Sequence, residues 1–289
     1  MSISAVILSF NAKRDLERCI SSLIEVEGLA AGRDQILVID NGSTDGSQAV
    51  IERLVAAHPG LVDATFLAAN LGTTISRNLG FAKASGDHLL VIDCDIYFET
   101  SVLQPLIEQL AADPSIGIIA PKLIFPDGRP QMSTDVFPTV LRKLERLFRL
   151  RALERRDRPG QARSRPVDYA ISAFWLMRRE LVDLVGPLDE RIVYAPEDVD
   201  FCLRTWLEGK RVVHRPDLEV VHDAKERSRS LRGLLFTWRH LLGLAYFFRK
   251  HRYAFSTRAL YRRIGRLRIN TAPASGGGGA REAESGAGG

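Results

Sequence analysis

Residues 89–95 read Leu89-Leu90-Val91-Ile92-Asp93-Cys94-Asp95, an apolar run that ends in two aspartates one residue apart. Such a run is typical of a buried strand, and aspartate suits the carboxyl end of a parallel strand, where ligands of open α/β sheets bind. Alternate strand residues face opposite sides, so we expect Asp93 and Asp95 to share one side while Cys94 packs inward. A Mg²⁺ or Mn²⁺ ion is typically held by one or two carboxylates and by substrate phosphate oxygens. Taken alone, the pair fits a solvated turn equally well.

Short apolar runs alternate with amphipathic stretches over the first hundred residues, which predicts a mostly parallel, twisted sheet flanked by helices. Strands are predicted at residues 3–9, 35–40, 64–67, 88–93, 116–120 and 219–222. Helical spacing is present at residues 15–23, 47–57, 102–112 and 231–245. Ser43 and Asp45 are candidate N-caps for the second of these helices. The predicted fold class is therefore α/β.

The chain has 289 residues, 45% of them hydrophobic, so it can bury one large core with appendages. Its three cysteines, Cys19, Cys94 and Cys202, make no disulfide framework and are expected to be buried small hydrophobes in a reducing compartment. No basic region precedes the apolar run that starts at Ile3, so the run is interpreted as a first strand and not as a signal peptide. A cytoplasmic location is expected.

Positive charge is concentrated in two segments, although the net charge is only +5. Residues 142–165 contain ten Lys or Arg against three acids, and residues 249–268 contain eight against none. Solvated helix faces explain such runs, and so does peripheral association with an anionic membrane. Nucleic-acid binding is supported by charge alone, so we do not expect it.

The predicted domain organisation follows these shifts in composition. Residues 1–225 form the main domain, interrupted by a basic surface insertion at 139–166. Residues 226–268 form a basic amphipathic helical extension, and the Gly/Ala/Ser-rich residues 269–289 are expected to be disordered. Charged residues interrupt the apolar run of the extension, so it is not expected to span a membrane. It lies on a membrane surface or packs on the core.

Two further turns carry polar groups at predicted strand ends or helix starts. Asp40 follows the apolar strand at 36–39 and opens the turn Asn41-Gly42-Ser43-Thr44-Asp45. Its carboxylate could accept the N3–H of a uracil or thymine ring, or could simply organise the turn. The segment at 70–80 places Gly72 ahead of a helix that carries Asn78 and Gly80, so a nucleotide could approach its backbone closely. Helix packing alone would also explain Gly80.

Glu197 and Asp198 follow Pro196 in the first turn of a predicted helix, where acids suit the helix dipole. The alternative is chemical: Asp198 accepts the proton of an attacking hydroxyl, while Glu197 orients it or the substrate. Asp200 points to another side of the helix and is interpreted as structural. His222 ends the last predicted strand, either as a buried histidine or as a ligand to the same metal ion.

Together these segments resemble the inverting family 2 glycosyltransferases with the GT-A fold, over about residues 3–250. The resemblance rests on motifs that occur in the order of the family: Val6–Asn11, Asp40–Asp45, Asn70–Gly80, Asp93–Asp95, Leu188–Arg191, Glu197–Asp200 and Val221–His222.

The resemblance assigns roles to these residues. It implies that Asp40 contacts the base, that Asp93 lies beside the ribose and sugar, and that Asp95 and His222 hold Mg²⁺ or Mn²⁺. The expected donor-binding residues are Phe10, Asn11, Asp40, Gly72, Asn78 and Asp93. The expected catalytic residues are Asp198, as the base, and Glu197.

The chain departs from the family pattern at two places. Ser172-Ala173 stands where Gly-Ala is usual, and Leu188 stands where Phe is common, so a pocket wall could differ. The runs at 194–198 and 246–251 look most like the bacterial rhamnosyltransferase branch, which implies a donor such as dTDP-rhamnose. The implied acceptor is a glycan or a lipid-linked saccharide in bacterial surface polysaccharide synthesis, at the inner face of the cell membrane.

The chemistry of the residues agrees with sugar transfer from a nucleotide. Loss of a nucleoside diphosphate builds negative charge that a metal ion neutralises, and the acceptor hydroxyl needs one base. A glycosidase would need two carboxyl groups flanking the sugar and no diphosphate site. A nucleotidyltransferase is an alternative, but residues 9–14 lack the Gly-rich basic loop expected of one. A non-catalytic nucleotide-sugar-binding protein is the other, and the full set of carboxylates favours an enzyme.

Overall fold

The computed structural model describes residues 1–142, 163–224 and 233–265. Most of the predicted basic insertion at 139–166 and all of the predicted tail at 269–289 lie outside the described residues. The domain boundaries therefore stay predictions.

Eleven strands and eight helices are defined among these residues. The strands are β1 Ile3–Ser9, β2 Gln35–Asp40, β3 Val62–Phe66, β4 His88–Asp93, β5 Ile96–Tyr97, β6 Ile116–Ile124, β7 Thr134–Asp135, β8 Arg165–Pro166, β9 Tyr169–Ala170, β10 Phe174–Arg178 and β11 Arg211–His222. The helices are α1 Leu16–Glu25, α2 Ser47–Ala57, α3 Thr73–Lys83, α4 Leu103–Ala112, α5 Glu180–Val185, α6 Glu197–Leu207, α7 Gly233–His251 and α8 Arg258–Arg263.

Nine of the strands form one sheet, in the order β3-β2-β1-β4-β10-β6-β11-β5, with β8 paired to β11. The first four strands are parallel, β10 is antiparallel to both of its neighbours, and β6 and β11 are parallel. This largely parallel sheet flanked by helices confirms the predicted α/β class. In the register of the strands, Ser9 pairs with Asp40 and Leu8 pairs with Asp93, so the carboxyl ends of β1, β2 and β4 lie side by side.

Both faces of the sheet are covered by apolar side chains. Trp175 in the middle of β10 is fully buried, and its ring stacks on Phe201 of α6 at 5.4 Å between centroids. Gly80 of α3 lies against β1, because an added Cβ would stand 2.3 Å from Val6 Cγ1. Helix packing therefore accounts for Gly80. All three cysteines are free, with Cys19 and Cys202 buried as predicted and Cys94 half-buried.

Element bounds differ from the predictions mainly where the pattern is weak. β3 covers Val62–Phe66 and not 64–67, and β11 begins at Arg211 and not at 219. The predicted N-caps of α2 are wrong, because Gly46 occupies the cap position. Asp45 lies one residue earlier, and its carboxylate still accepts the Ser47 N–H at 3.0 Å.

The helix α7 packs on the core through part of its surface. Leu244 and Phe247 are buried, whereas Leu241 is 50% exposed and Leu242 is 65% exposed. Core packing, one of the two alternatives for the extension, therefore holds for this buried face. Across 1–142, 163–224 and 233–265, no helix combines the length and apolar character that crossing a bilayer requires.

Candidate active site

The candidate site lies where β4 ends and β11 returns beside it. The short strand β5 pairs antiparallel with the end of β11, so that Ile96 stands opposite His222. The backbone N–H of Asp223 donates to the carbonyl oxygen of Asp95 at 2.9 Å. This pairing brings a histidine from late in the chain to the Asp93-Cys94-Asp95 turn.

Asp93, Asp95 and His222 form a group of three possible metal ligands. Their ligand atoms all lie within 4.8 Å of one another, and His222 Nε2 is 3.2 Å from Asp95 Oδ1. Burial alone would lower the pKa of His222, but the carboxylates of Asp95 and Asp93 outweigh burial and raise it. Two carboxylates and one imidazole with ligand atoms this close together fit a divalent cation such as Mn²⁺ or Mg²⁺. The predicted ligands Asp95 and His222 are thus brought together.

Gln131 orients the imidazole from the other side. His222 Nδ1 lies 2.7 Å from Gln131 Oε1, an oxygen that can only accept a hydrogen bond. Nδ1 is therefore the donor to Gln131, and Nε2 faces Asp95: it donates to that carboxylate when the ring is protonated and can bind a cation when the ring is neutral. An outer hydrogen bond of this kind fixes the ring and the tautomer of metal-binding histidines. Sequence reasoning missed Gln131, and a glutamine in a loop gives no signal by which to find it.

Arg77 on α3 connects the two sides of the site. It is 2% exposed, and its Nη2 donates to Asp93 Oδ1 at 2.7 Å. Its Nη1 lies 3.5 Å from Glu197 Oε1, and the same guanidinium donates to the hydroxyl and carbonyl oxygens of Ser172. Burial of Asp93 outweighs its ion pair with Arg77, so the pKa of Asp93 is raised. Arg77 lies within the 70–80 segment but was not predicted as a site residue.

Glu197 and Asp198 begin α6, but they differ in their surroundings. Glu197 is buried, and burial together with the charge of Asp198 raises its pKa to about 8. Asp198 is half-buried, and its Oδ1 accepts the Val199 N–H at 2.8 Å. A protonated, buried carboxyl beside a more accessible one separates the two roles, as acid–base sites require. The accessible Asp198 is the better placed to take a proton from an acceptor.

Asp40 lies in a saturated environment. Its carboxylate is buried and accepts from the Ser43 N–H at 3.0 Å, the Gln48 amide at 3.0 Å and the Ser9 hydroxyl at 3.2 Å. A further hydrogen bond comes from the Ser43 hydroxyl at 2.5 Å. These contacts favour the turn-organising role that the pattern left open. Contact with a base stays a prediction.

Phe10 and Asn11 lie at the end of β1, next to this turn. Phe10 is 42% exposed, so its aromatic ring is accessible to a ligand. Asn11 is instead tied to the turn, since its N–H donates to Ser43 Oγ and its Oδ1 accepts the Thr44 N–H, both at 2.9 Å. Donor contact by either residue stays a prediction.

Gly72 and Asn78 hold the loop that precedes α6. Gly72 has a φ of 92°, and an added Cβ would stand 2.5 Å from Val193 O, the oxygen that accepts the Thr73 N–H. The side-chain amide of Asn78 donates to Leu188 O at 3.0 Å and accepts the Leu188 N–H at 2.9 Å. Both residues therefore position the 188–193 loop, while their predicted contact with the donor stays a prediction.

The profile of the family described as Glycosyl transferase family 2 matches residues 4–186. An uncharacterized glycosyltransferase of Nostoc sp. is 31% identical over 119 residues, which is 41% of this chain and 36% of the relative. The prophage bactoprenol glucosyl transferase homolog of Escherichia coli is 23% identical over 210 residues, which is 73% of this chain and 61% of the relative. The chain thus spans less than two thirds of either relative.

A crystal structure of GalNAc-T7 with UDP, GalNAc and Mn²⁺ superposes with a TM-score of 0.64 at 17% identity. The match covers 86% of this chain and 48% of the other. At this identity the likeness concerns the fold alone, and it confirms the predicted GT-A type.

Proposed function

This chain belongs to glycosyl transferase family 2, and we propose that it transfers a sugar from a nucleoside diphosphate sugar to a hydroxyl group, with inversion and with a bound divalent cation. The observation that carries the proposal is one charged cluster at the sheet edge. Asp93, Asp95 and His222 stand on one side, and Arg77 joins Asp93 to Glu197, which adjoins Asp198. The possible metal ligands suit the diphosphate of the donor. The carboxylate of Asp198 suits the hydroxyl group of the acceptor.

On the donor side, Asp95 and His222 would hold the cation, which when bound neutralises negative charge on the diphosphate. The imidazole ligand favours Mn²⁺ over Mg²⁺, because Mg²⁺ prefers oxygen ligands. Arg77 donates to Oδ1 of Asp93 and so fixes the orientation of that carboxylate, which by the family resemblance would lie beside the sugar. A crystal structure of a fold relative contains UDP and Mn²⁺, in line with a nucleotide and metal requirement.

On the acceptor side, Asp198 takes the proton of the attacking hydroxyl. The hydroxyl oxygen forms its bond to the anomeric carbon while the bond from that carbon to the diphosphate oxygen breaks, with the electron pair leaving on the diphosphate. Attack opposite the leaving group inverts the anomeric configuration. Glu197 keeps its proton at neutral pH, because its pKa is about 8, and so does not compete as the base.

The donor class proposed is dTDP-rhamnose or a similar dTDP-linked 6-deoxysugar, on the likeness of residues 194–198 and 246–251 to the rhamnosyltransferase branch. The acceptor class proposed is a glycan or lipid-linked saccharide in bacterial surface polysaccharide synthesis. The name of the Escherichia coli relative pairs glucosyl transfer with bactoprenol.

The proposed location is the cytoplasm, with peripheral attachment to the inner face of the membrane. Leu241 and Leu242 are exposed on α7, Arg249 is exposed in its last turn, and Arg252 is exposed just beyond it. Exposed apolar residues beside basic ones suit an anionic lipid surface. Sedimentation with anionic liposomes at low salt tests this, and a chain that stays in the supernatant would overturn it.

The function is tested by a thermal-shift screen of UDP-, GDP- and dTDP-sugars with and without Mn²⁺, followed by donor turnover with the Asp198→Asn variant. A donor that binds only the native state raises its apparent stability. We expect one donor class to give a metal-dependent shift in both proteins, and turnover to be lost in Asp198→Asn. Asp183→Asn, at an exposed carboxylate on α5, is the matched control.

Three outcomes would contradict the proposal. Near-normal turnover by Asp198→Asn would remove that residue as the base. A shift with nucleoside triphosphates and release of pyrophosphate would instead indicate a nucleotidyltransferase, and donor binding without any turnover would indicate a non-catalytic binding protein.

A further inference from the structure

One lysine on α7 holds both ends of the segment that carries Glu197 and Asp198. Lys250 Nζ lies 2.8 Å from Asp189 Oδ2, before the segment, and 2.7 and 2.9 Å from the two oxygens of Asp200, after it. The lysine is three-quarters buried, at 23% side-chain exposure. A partly desolvated cation between two carboxylates constrains all three groups more than a surface ion pair does.

Each carboxylate has further donors, which locks the arrangement. Asp200 is fully buried and also accepts from His251 Nε2 at 2.7 Å and from Arg204 Nε at 2.8 Å. Asp189 also accepts from the Tyr246 hydroxyl at 2.8 Å. Burial would raise the pKa of both carboxyl groups, but these donors outweigh burial and lower it. The segment from 189 to 200 is therefore anchored to α7 at both ends.

The middle of the segment contacts α7 directly. An added Cβ on Gly243 would stand 2.2 Å from the carbonyl oxygen of Ala195, three residues before Asp198. The backbone of Gly243 is ordinary helix, so its glycine is needed for this close approach and not for an unusual φ. Glycine weakens a helix interior, and the close contact with Ala195 gives a reason for it here.

We propose that α7 positions the base: Lys250 and Gly243 hold the 189–200 segment so that Asp198 meets the acceptor hydroxyl. These are positioning residues, because the contacts reach Asp198 only through the segment. The inference rests on the proposed function, which makes Asp198 the base. It goes beyond the matched family profile, which ends at residue 186.

The first test is Lys250→Met, with Lys250→Arg as the conservative variant. Because a small misplacement of a catalytic group is costly, we expect kcat for donor turnover to fall about ten- to a hundredfold in Lys250→Met. The KM for the donor should stay within about twofold, since the metal and donor groups lie on other elements. Arginine also bridges two carboxylates and should restore most of kcat.

The matched control is Lys122→Met. Lys122 is also three-quarters buried, at 25% side-chain exposure, and makes one ion pair of 2.7 Å, to Glu219. It lies on β6, outside the 189–200 segment, so its removal should leave kcat unchanged. This control separates loss of the bridge from loss of any half-buried lysine.

Gly243→Ala is a second variant that keeps every charge. Its methyl group must push α7 away from Ala195, so we expect the same fall in kcat with donor KM unchanged. Ala245→Ser, at an exposed position on the same helix, is its control. Amide hydrogen exchange should rise within residues 190–199 in Lys250→Met and Gly243→Ala, and not in either control.

The outcomes are distinguishable from those of the proposed function. If wild-type protein neither binds nor turns over any donor, the proposed function fails and this inference fails with it. If wild-type protein is active but Lys250→Met and Gly243→Ala both keep kcat within twofold, only this inference is overturned. Equal losses in kcat and in donor affinity, without rescue by arginine, would also overturn it, since they would indicate general unfolding.

Discussion

Asp40 and Asp93 both end apolar parallel strands that flank β1, yet their carboxylates lie in opposite surroundings. Asp40 is buried and accepts hydrogen bonds from Ser43 in its own turn, Gln48 in α2 and Ser9 in β1, all neutral groups. Asp93 is partly exposed and is held by a single guanidinium, beside a second carboxylate. Protein donors satisfy the carboxylate of Asp40, whereas the carboxylates of Asp93 and Asp95 can still bind a ligand.

The donors around a carboxylate, and not its position at a strand end, therefore decide its role. Ser43 in its own turn and Gln48 in the helix that follows provide three of its four hydrogen bonds, so most of its partners are local. The partners around Asp93 and Asp95 come from other elements, α3 and β11, and His222 of β11 lies more than a hundred residues after Asp95. The turn at Asp40, where protein donors saturate the carboxylate, is therefore structural. The turn at Asp93 and Asp95, called the open turn below, is available for chemistry.

The largest effect is expected from Asp95→Ala in the open turn. Metal-dependent donor affinity should fall about a hundredfold or more, because one of two ligands is lost and His222 is left without its charged neighbour. Unfolding by urea should change little, since the carboxylate is not saturated by protein donors. Titration of donor with and without Mn²⁺ measures the effect, and Asp127→Ala, at an exposed turn, is the control. Unchanged affinity would remove Asp95 from the metal site.

Asp40→Ala should show the opposite behaviour. It leaves several buried donors without an acceptor, so we expect the free energy of unfolding to fall by about 2–4 kcal/mol. Donor affinity per folded molecule should change little. Urea unfolding and donor titration under stabilising conditions measure both quantities. If stability is kept while the preference for a uracil or thymine base is lost, Asp40 contacts the base and the comparison fails.

Glu197 is a third buried or partly buried carboxyl group, and it has few protein donors. Its effect on stability should therefore depend on pH. Its pKa is raised from 4.5 to about 8 in the folded protein, so between these values the folded state keeps a proton that the unfolded state releases. Its stabilising effect is full below about pH 4.5 and is lost as the pH rises towards 8. Between pH 5 and 8, wild-type protein should lose roughly 1–3 kcal/mol more stability than Glu197→Gln.

Urea unfolding at several pH values measures this difference, with Glu108→Gln on α4 as an exposed control. Parallel stability curves for wild-type protein and Glu197→Gln would show that Glu197 is ionised at neutral pH.

The smallest effect is expected from Gln131→Met, which removes the outer hydrogen bond to His222 and keeps the side-chain size. Affinity for Mn²⁺ should fall about tenfold, as for other outer contacts to metal-binding histidines. Calorimetric titration with Mn²⁺ measures it, with Gln104→Met on α4 as the control. Unchanged affinity would show that Asp95 alone orients the imidazole.

The parallel centre of the fold was predictable, because strands buried on both faces are continuous apolar runs. β1, β2 and β4 match their predicted bounds. The edge strand β3 is half-exposed and was displaced, and β10 was not predicted as a strand although Trp175 lies at the centre of the sheet. β11 was predicted only at its end, since its pairing with β6 is irregular around Arg215 and Pro216 interrupts the run.

Site residues that belong to a sequence motif were predictable. Those that depend on tertiary contacts were not. The sequence indicated Asp93, Asp95 and His222, which the fold brings together. Arg77 was missed because only Phe81 among the buried residues of α3 (73, 74, 76, 77, 80 and 81) is large and apolar, so the sequence shows no apolar stripe on which the arginine would stand out. The saturation of Asp40 could not be predicted, because it depends on side-chain geometry.

The bridge from Lys250 to the 189–200 segment also sets an order of events during translation. A ribosome releases the β4 turn long before β11 and α7 have been made. A nascent chain that has already folded its first strands would carry Asp93 and Asp95 without His222, and Asp198 without its anchor. On the proposed function, the growing polypeptide would reach its full rate of nucleotide-sugar turnover only after residue 250 had emerged from the exit tunnel.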